Sequence, residues 1–531
     1  MKKIKGTPVS SGIYMEKIKV LERDNEIEAK KGLGAEAEGE RAARAFSLAK
    51  EQVEKLKAEI SGDEALIFDA HLEMLDDPTI TEGVQGYIDQ DYTAEYAVFQ
   101  AKNDIKEIFN QMEDEYFKAR SNDVEDIMMR VLNNLKGKSA EEEKNNFILV
   151  TDELYPSETL EMDFRKIKGI ATLRGSKTSH TTILANNFKI PALISIDSVD
   201  LSEIEGKLAI IDAINGVLIV EPDEETKKIY EEKIKNYEEA NEELKKYIDK
   251  KAVTKSGKEL KVYANIGSEI EAKTALENGA EGVGLFRSEF LFLGRNNAPD
   301  EDEQYRAYKA AVIMMAGKPV IVRTMDIGAD KQVNYLNLKE EDNPQMGLRA
   351  IRISLKDKPL FKTQLRALLR ASYYGDLRVM LPMIISVEEI KKTREIINEC
   401  LDELKKEQRH FKMFKLGIMI ETPAAAIIAD ELGKHADFFS IGTNDLVSYT
   451  LAIDRTNNDL SSYRDDYHTA VMRLLKMIAD GAHQNDIEVG ICGAMGADPK
   501  MLDYYLDIGI DEVSVSLGKI LETKRNVIEH E

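Results

Sequence analysis

Eight short apolar runs recur through the second half of the chain, from about residue 256 to its end. A short apolar run bounded by turn residues is typical of a buried strand, and strands that alternate with helix-length segments indicate a parallel sheet. Eight such repeats within this length predict a (β/α)8 barrel. The runs are "KVYANIG", "GVGLFRSEF", "PVIVRTMDIG", "RVMLPMI", "KLGIMIETP", "FFSIGTNDL", "EVGICGAMG" and "EVSVSL".

Chemically active residues stand at or just after the ends of several of these runs. The active site of such a barrel lies at the carboxyl ends of its strands, which together form its mouth. The placement therefore supports the barrel and predicts a site at the mouth. The residues are Arg287, Arg323, Glu421, Asn444, Asp445 and Cys492, and Arg455 follows the sixth run.

The arginines and carboxylates in this set predict a phosphorylated ligand. Converging guanidinium groups match a phosphate, because each offers a fork of donors and keeps its charge at neutral pH. Glu421 and Asp445 end the fifth and sixth runs, and two oxygen ligands with room for water suit Mg²⁺. The alternatives are surface arginines in ion pairs and carboxylates that pair with those arginines.

Cys492 lies among glycines, in "GICGAMGAD". Glycines let the backbone approach a ligand closely, and the end of the seventh run is a suitable place for an acid or base. A lone cysteine is also commonly a small buried hydrophobe, so both roles stay open from the residues alone.

The chain before residue 256 follows a different pattern. Apolar residues repeat every three or four positions from about 36 to 135, which predicts four helices. An N-terminal run and five β-branched runs surround them and predict a mixed α/β domain with a helical insertion; the segment around His180 is its main helix. We expect the α/β domain at 1–24 and 144–222, the all-α subdomain at 25–143, an exposed helical linker at 223–255 and the barrel at 256–531.

His180 is one of seven histidines and stands in "RGSKTSHTTILA", at the start of a short apolar run. Thr178 or Ser179 is suited to cap a helix there, which places the imidazole in the first turn. The positive end of a helix disfavours imidazolium and accommodates an anion. His180 is therefore a candidate phosphohistidine, and a capping or core histidine is the alternative.

The composition narrows the class of protein. Two cysteines make no disulfide framework and indicate a reducing cytosol. A formal net charge of −24 argues against nucleic acid as the main partner. The start of the chain lacks the apolar region of a signal peptide, and no stretch approaches the roughly 18 apolar residues of a membrane span. We expect a cytoplasmic protein without direct membrane insertion.

With these residues identified, the chain resembles Enzyme I of the bacterial phosphoenolpyruvate:sugar phosphotransferase system over nearly its whole length. The helical segments "IFDAHLEMLDDP" and "MEDEYFKARSNDVEDI" resemble the subdomain of that family that docks its partner. The other matching segments, in family order, are "TSHTTILA", "GLFRSEFLF", "VRTMDIGADK", "NPQMGLRAIR", "GIMIETPAAA" and "FFSIGTNDLVSYTLAIDR".

The resemblance implies a role for each candidate residue. His180 would accept the phosphoryl group of phosphoenolpyruvate, and Cys492 would protonate the enolate to give pyruvate. Glu421 and Asp445 would hold Mg²⁺, with Mn²⁺ left open. The remaining substrate-binding residues would be Arg287, Arg323, Arg349, Asn444 and Arg455.

The resemblance also implies partners and an architecture. The phosphoryl group would pass to the phosphocarrier protein HPr, docked on the helical subdomain, and the chain would form a homodimer through its barrel. The α/β domain would swivel between the barrel and HPr about the linker, as the first step of sugar uptake. An acidic helical face would suit a carrier with basic residues around its histidine.

This chain departs from the family pattern at several positions. Ser176 and Lys177 replace a Gly-Arg pair, and Ala494 replaces a glutamate, after which a small Gly-Ala pair is reversed. Glu125 stands where the helical subdomain usually has arginine, and "YRDDYHTAV" replaces a stretch containing proline. The set of catalytic residues is intact, so we expect activity.

Three other functions are alternatives. A fragment of a pyruvate,phosphate dikinase or phosphoenolpyruvate synthase would need an ATP-binding domain before the histidine domain, where this sequence has helices instead. A regulatory binder that sequesters phosphocarriers would form no pyruvate from phosphoenolpyruvate. A nitrogen-regulatory relative would carry a sensory domain ahead of residue 3, and none is expected.

Overall fold

A computed structural model gives the arrangement of the chain as two compact units, Met1–Glu238 and Glu239–Glu531. Two of the predicted site residues, His180 and Arg455, lie outside the described residues. The structure describes all residues except 22–26, 60–70, 112–114, 138–144, 155–161, 163, 176–181, 183–184, 186–189, 294, 296, 329–332, 340 and 455–457.

The first unit contains an eight-stranded mixed sheet in the order β1-β8-β7-β3-β4-β5-β6-β2. The neighbouring pairs from β3 to β6 are parallel, and the others are antiparallel. The strands are β1 Lys2–Lys5, β2 Thr7–Ser10, β3 Ile13–Val20, β4 Phe147–Thr151, β5 Ile167–Thr172, β6 Ala192–Ile194, β7 Leu208–Asp212 and β8 Val217–Val220.

Side chains alternate between the two faces of this sheet. In β4, Ile148 and Val150 join one apolar cluster while Leu149 joins another on the opposite side, as the two-residue period of a strand requires. All five runs after residue 146 are strands, and β3 contains the predicted N-terminal one. The sequence analysis missed β1 and β2, which are short strands at the two edges of the sheet and carry few apolar residues.

Helices are inserted between β3 and β4, as predicted. Asp77 accepts a hydrogen bond from Thr79 N at 2.8 Å and so caps the second long helix. Among the described residues, the prediction of four helices was one too few. The helix predicted at "LIFDAHLEML" is present at residues 71–75, whereas the last predicted helix is two helices packed against each other. No glycine or proline marks their separation. The long helices are α1 Ala35–Glu59, α2 Pro78–Ile88, α3 Ala94–Gln111 and α4 Glu115–Lys136.

The charged segment after β8 forms helix α5, Glu224–Leu244, followed by a 3-10 turn. Most of its side chains are exposed, as expected for a connecting helix. The first third of α5 is packed on the sheet, because Tyr230 is buried against apolar side chains of the sheet and donates a hydrogen bond to Asp212 at 3.0 Å. The beginning of α5 is therefore fixed to the first unit.

The second unit is a closed barrel of eight parallel strands, in which the last strand pairs with the first. Each of the eight runs identified in the sequence forms one strand, so the predicted (β/α)8 barrel is confirmed. The strands are β9 Lys261–Ile266, β10 Val283–Arg287, β11 Val320–Arg323, β12 Leu377–Leu381, β13 Lys415–Ile420, β14 Phe438–Gly442, β15 Glu488–Cys492 and β16 Glu512–Val515.

Helices surround the barrel. Side chains along each strand alternate between an outer core, packed against the helices, and an inner core inside the barrel. In β12, Leu377, Val379 and Leu381 pack outward against the helices, whereas Met380 points into the barrel. Cys492 points inward with it. The helices are α6 Glu269–Glu277, α7 Glu301–Met314, α8 Ile351–Lys356, α9 Lys358–Ala371, α10 Val387–Lys406, α11 Pro423–Ile427, α12 Ala429–Gly433, α13 Thr443–Leu451, α14 Thr469–His483, α15 Leu502–Ile508 and α16 Ile520–Glu529.

Within the described part of the chain, no helix has the length and apolar character needed to cross a membrane.

Candidate active site at the mouth of the barrel

Two arginines end neighbouring strands at the mouth. Arg287 closes β10 and Arg323 closes β11, and the register places them directly opposite each other. Arg287 is exposed, whereas Arg323 is only 8% exposed. The pair therefore offers one guanidinium to solvent and holds the other in a buried position.

Buried carboxylates hold Arg323 and Arg349 in place. Arg323 forms ion pairs with Glu289 and, at 2.9 Å, with Asp326. The other oxygen of Asp326 pairs with Arg349 at 2.8 Å. Asp326 thus bridges two guanidinium groups from different segments, which fixes their separation.

Glu289 and Asp326 were missed in the sequence analysis. Each is an acid two or three positions after an arginine that ends a strand, which is the only signal that would have found them. Tyr449 was also missed; its hydroxyl accepts a hydrogen bond from Arg349 at 3.3 Å and donates one to the Gln345 carbonyl.

Neighbouring carboxylates keep Arg323 and Arg349 positively charged. Burial alone would lower the pKa of each guanidinium. Glu289 and Asp326 outweigh this effect at Arg323, and Asp326 and Asp445 outweigh it at Arg349, so both pKa values lie above the ordinary value. Both side chains stay cationic at any physiological pH.

Glu421 and Asp445 follow the neighbouring strands β13 and β14, and both are buried. Burial, followed by the negative charges of Asp445 and Asp326, raises the pKa of Glu421 to about 8. One Glu421 oxygen accepts a hydrogen bond from Met383 N at 2.6 Å. Arg323 forms its ion pairs with Glu289 and Asp326, and Asp445 acts electrostatically on Arg349.

The donor set at Glu421 and Asp445 fits a hard divalent cation. Two buried carboxylates repel each other, and a cation between them would relieve that repulsion. Among the described residues there is no group of three or more histidine, cysteine or acidic side chains arranged to hold a metal. Water and a substrate could supply the other ligands of a cation held here, which is the pattern typical of Mg²⁺.

Cys492 is only 2% exposed and points into the barrel. Its sulfur accepts a hydrogen bond from Ser440 Oγ at 3.4 Å and donates one to the Ile441 carbonyl at 3.5 Å. Burial raises the pKa of the thiol to about 12, and the Ser440 hydrogen bond and Arg323 offset only part of this effect. The thiol is therefore protonated at neutral pH, which suits a proton donor and not a nucleophile.

The side-chain amide of Asn444 is oriented by the loop that follows Cys492. Its Oδ1 accepts a hydrogen bond from Ala494 N at 3.2 Å, which leaves Nδ2 as a donor. This contact uses the backbone of Ala494, so the change from the family glutamate does not remove it. Gly493 has a φ of +109° and lies so close to Thr443 that a Cβ atom would be 2.4 Å from Oγ1, so glycine is needed there.

The structure therefore brings Arg287, Arg323, Arg349, Glu421, Asn444, Asp445 and Cys492 to the mouth of the barrel. Of the segment around His180, Thr182 and Ala185 are described; both are helical and buried. The Ala185 carbonyl accepts a hydrogen bond from Ser10 Oγ at 3.3 Å. The predicted capping of the helix by Thr178 or Ser179 lies outside the described residues.

Glu125, one of the departures from the family pattern, forms ion pairs with Lys106 and, at 4.0 Å, with Lys102 of the neighbouring helix. The negative charge that replaces arginine is thus matched by two lysines within the helical subdomain.

Comparison with known proteins gives a consistent result along the whole chain. Three family models match: PEP-utilising enzyme, N-terminal, over residues 5–120; PEP-utilising enzyme, mobile domain, over 143–216; and PEP-utilising enzyme, PEP-binding domain, over 241–531. The chain is 39% identical over 536 residues to the phosphoenolpyruvate-protein phosphotransferase of Priestia megaterium, covering 99% of this chain and 94% of that one.

It is also 40% identical to the phosphoenolpyruvate-protein phosphotransferase of Bacillus subtilis (strain 168) over 537 residues, with 99% of this chain and 94% of that one covered. Among solved structures, the NMR solution structure of Enzyme I (nEIt) protein matches at 32% sequence identity with a TM-score of 0.36. That match covers 44% of this chain and 99% of the other.

Proposed function

The chain belongs to the family of phosphoenolpyruvate–protein phosphotransferases, the PEP-utilising Enzyme I of the phosphotransferase system, and we propose how its residues carry out that reaction. The barrel mouth binds phosphoenolpyruvate and passes its phosphoryl group to His180. The phosphoryl group then moves to the histidine of HPr.

The arginines at the mouth carry this proposal. Arg287 and Arg323 stand opposite each other at neighbouring strand ends, and Asp326 bridges Arg323 to Arg349. Guanidinium groups held in fixed positions match the oxygens of a phosphate and neutralise the charge that spreads over them in the transition state. Arg455 joins them in the proposal, on the strength of its place in the sequence.

The carboxylate of phosphoenolpyruvate needs a donor, which Asn444 supplies. The Ala494 N–H occupies its Oδ1, so Nδ2 is left to donate to the substrate. The substrate is thereby held at both ends, with its phosphate on the arginines and its carboxylate on the amide. Such alignment is the main contribution an enzyme makes to phosphoryl transfer.

The transfer begins when a neutral ring nitrogen of His180 attacks phosphorus. A nitrogen–phosphorus bond forms as the bond from phosphorus to the enol oxygen breaks, and the electron pair stays on that oxygen. The resulting enolate takes a proton at its terminal carbon from Cys492, which gives pyruvate. Cys492 is suited to this step because its thiol remains protonated at neutral pH, and the thiolate then recovers a proton from solvent.

Glu421 and Asp445 would hold Mg²⁺ in this proposal. The ion supplies charge neutralisation at the phosphate and carboxylate oxygens of the substrate when it is bound. The hydrogen bond from Met383 N fixes the Glu421 carboxylate independently of any ion.

His180 belongs to the stretch Met1–Glu238, and the barrel mouth to Glu239–Glu531. We therefore place the domain boundaries as in the sequence analysis, with the histidine domain at 1–24 and 144–222, the HPr-docking helices at 25–143, the linker at 223–255 and the barrel at 256–531. The part of α5 beyond Tyr230 is the candidate hinge, since Tyr230 itself is anchored to the sheet. A homodimer through the barrel completes the proposal.

Pyruvate release from phosphoenolpyruvate, with Mg²⁺ and HPr added, tests the function. We expect continuous turnover that stops when a chelator removes the metal. Binding of phosphoenolpyruvate without any pyruvate formation would contradict the proposal and favour the regulatory binder.

A further inference from the structure

A buried polar network lies between the barrel strands and two outer helices, directly beneath the paired arginines. Its members are almost completely inaccessible to solvent and occupy a layer that is otherwise filled by apolar side chains. They are Ser288, Gln304, Tyr308 and Gln364.

Gln364 of helix α9 is the centre of this network. Its Nε2 donates hydrogen bonds to Ser288 Oγ and Tyr308 OH, both at 3.0 Å. Its Oε1 accepts a hydrogen bond from Met325 N at 3.1 Å. Three hydrogen bonds thus tie one side chain to helix α7 and to the segments that directly follow β10 and β11.

Ser288 extends the network to the site. Its hydroxyl donates to the carbonyl of Arg323 at 2.6 Å. Ser288 stands between Arg287 and Glu289 in the chain, and Met325 directly precedes Asp326. The hydrogen bonds of Gln364 and Ser288 therefore hold the backbone at Arg323 and Met325, together with the Ser288 side chain between Arg287 and Glu289.

The other end of the network has no such connection. Tyr308 OH donates to Gln304 Oε1 at 3.1 Å, and Gln304 Nε2 donates to the Pro299 carbonyl at 3.0 Å. These contacts satisfy buried polar atoms, as folding requires, without touching the strand ends. The network thus contains two buried glutamines, one bonded directly to the residues beside the arginines and one that reaches them only through Tyr308.

We propose that Gln364, acting through Ser288, is a positioning residue that fixes the arginine pair for phosphoryl transfer. An apolar layer would pack these helices equally well, and a buried polar side chain with three specific hydrogen bonds is costly unless every bond is made. The benefit that outweighs this cost is a fixed backbone at Arg323. A displacement of about 1 Å at such a position lowers a rate by as much as roughly 10²-fold.

The inference rests on the proposed function, and Gln364→Leu tests it against the matched control Gln304→Leu. Both variants lose a buried amide, and urea unfolding measures how far each is destabilised. We expect Gln364→Leu to lower kcat for pyruvate release by roughly 10- to 100-fold, with a much smaller rise in KM for phosphoenolpyruvate. Gln304→Leu leaves all three hydrogen bonds of Gln364 in place and should stay within about twofold of the native chain in both constants.

Equal kinetics for the two glutamine variants would overturn the inference. If Gln364→Leu does not fold, Ser288→Ala takes its place, and a kcat equal to that of Gln304→Leu overturns the inference in the same way. If the native chain binds phosphoenolpyruvate but releases no pyruvate, the proposed function has failed. The two variants are then compared by their affinity for phosphoenolpyruvate, which only Gln364→Leu should weaken.

Discussion

The two ends of the barrel contain the same kinds of charged side chains but hold them differently. At the mouth, Arg323 and its partners Glu289 and Asp326 are each less than 10% exposed. At the base, where the strands begin, Arg378 pairs with Asp376 at 3.0 Å and with Glu488 at 2.7 Å, and these carboxylates are 41% and 42% exposed. The mouth buries complete ion pairs, whereas the base leaves the carboxylates of its ion pairs partly exposed to solvent.

The buried ion pairs at the mouth need an explanation that the pairs at the base do not. Half-exposed pairs contribute little to stability and cost little, so the base requires no further explanation. Buried pairs lose much of their attraction to desolvation, and apolar residues of similar volume are often as stable. Stability alone therefore does not account for the mouth, whereas binding of an anion in a water-excluded site does.

The largest effect should come from Cys492, and Cys400 provides the control. Cys492→Ala removes the proposed proton donor and should lower pyruvate release by roughly 10²- to 10⁴-fold, the usual range for loss of a general acid. Cys400 is equally buried but lies on helix α10, away from the mouth. Cys400→Ala should therefore stay within about twofold, and equal rates for the two variants would remove Cys492 from the mechanism.

The next effect compares the two ends directly. Arg323→Lys keeps the charge but loses the planar fork, and it should slow pyruvate release by roughly 10²- to 10³-fold. Arg378→Lys makes the same change at the base and should leave the rate within about twofold. A comparable loss in both variants, measured by steady-state kinetics, would show that the mouth and the base do not differ in function.

A smaller effect concerns the metal. Glu421→Gln keeps the shape of the side chain but removes its charge, so the concentration of Mg²⁺ for half-maximal rate should rise by roughly 10- to 100-fold. Calorimetric titration with Mn²⁺ would measure the same loss without turnover. An unchanged metal requirement would assign the ion to other ligands.

The smallest effect concerns Glu512, at the base of the barrel, and the pH dependence of stability. Glu512 begins β16, is buried, and accepts a hydrogen bond from Ser514 at 3.1 Å. Its carboxylate fills the space that a side chain at Gly490 would need, since a Cβ atom there would be 1.9 Å from Oε1. Burial raises the pKa of Glu512 from 4.5 to about 8, and the Ser514 hydrogen bond offsets only part of that.

The folded barrel therefore binds this proton more tightly than the unfolded chain does. The associated stability is present below pH 4.5 and is lost as the pH rises through about 8. Glu512→Gln should reduce that loss, by an amount on the order of a few kcal/mol, since one pKa unit is about 1.4 kcal/mol. Urea unfolding of both chains at pH 5 and pH 9 measures it, and identical pH dependence would contradict the assignment.

The barrel could be predicted from the sequence because each strand is a compact apolar run bounded by turn residues. The ends of those runs also identified Arg287, Arg323 and Cys492, since strand ends meet at one edge of a parallel barrel. The edge strands β1 and β2 could not be found in this way, because they bury few side chains. The boundary between α3 and α4 was missed because no glycine or proline marks it.

The supporting contacts of the site could not be predicted. Asp326 bridges Arg323 and Arg349, and Gln364 reaches Ser288 across 76 positions of sequence. Sequence spacing sets the face on which a residue lies but not which buried donor meets which acceptor. Ala494 shows the converse case, in which a change of side chain has little effect because the backbone makes the contact.

The most direct test is to incubate the protein with Mg²⁺ and with phosphoenolpyruvate that has a radioactive phosphoryl group. The label that is transferred to the protein is then measured. The native chain should acquire an acid-labile, base-stable label that added HPr removes. His180→Ala should acquire none, although its barrel still binds phosphoenolpyruvate. Undiminished label on His180→Ala would contradict the claim that the barrel mouth phosphorylates this histidine.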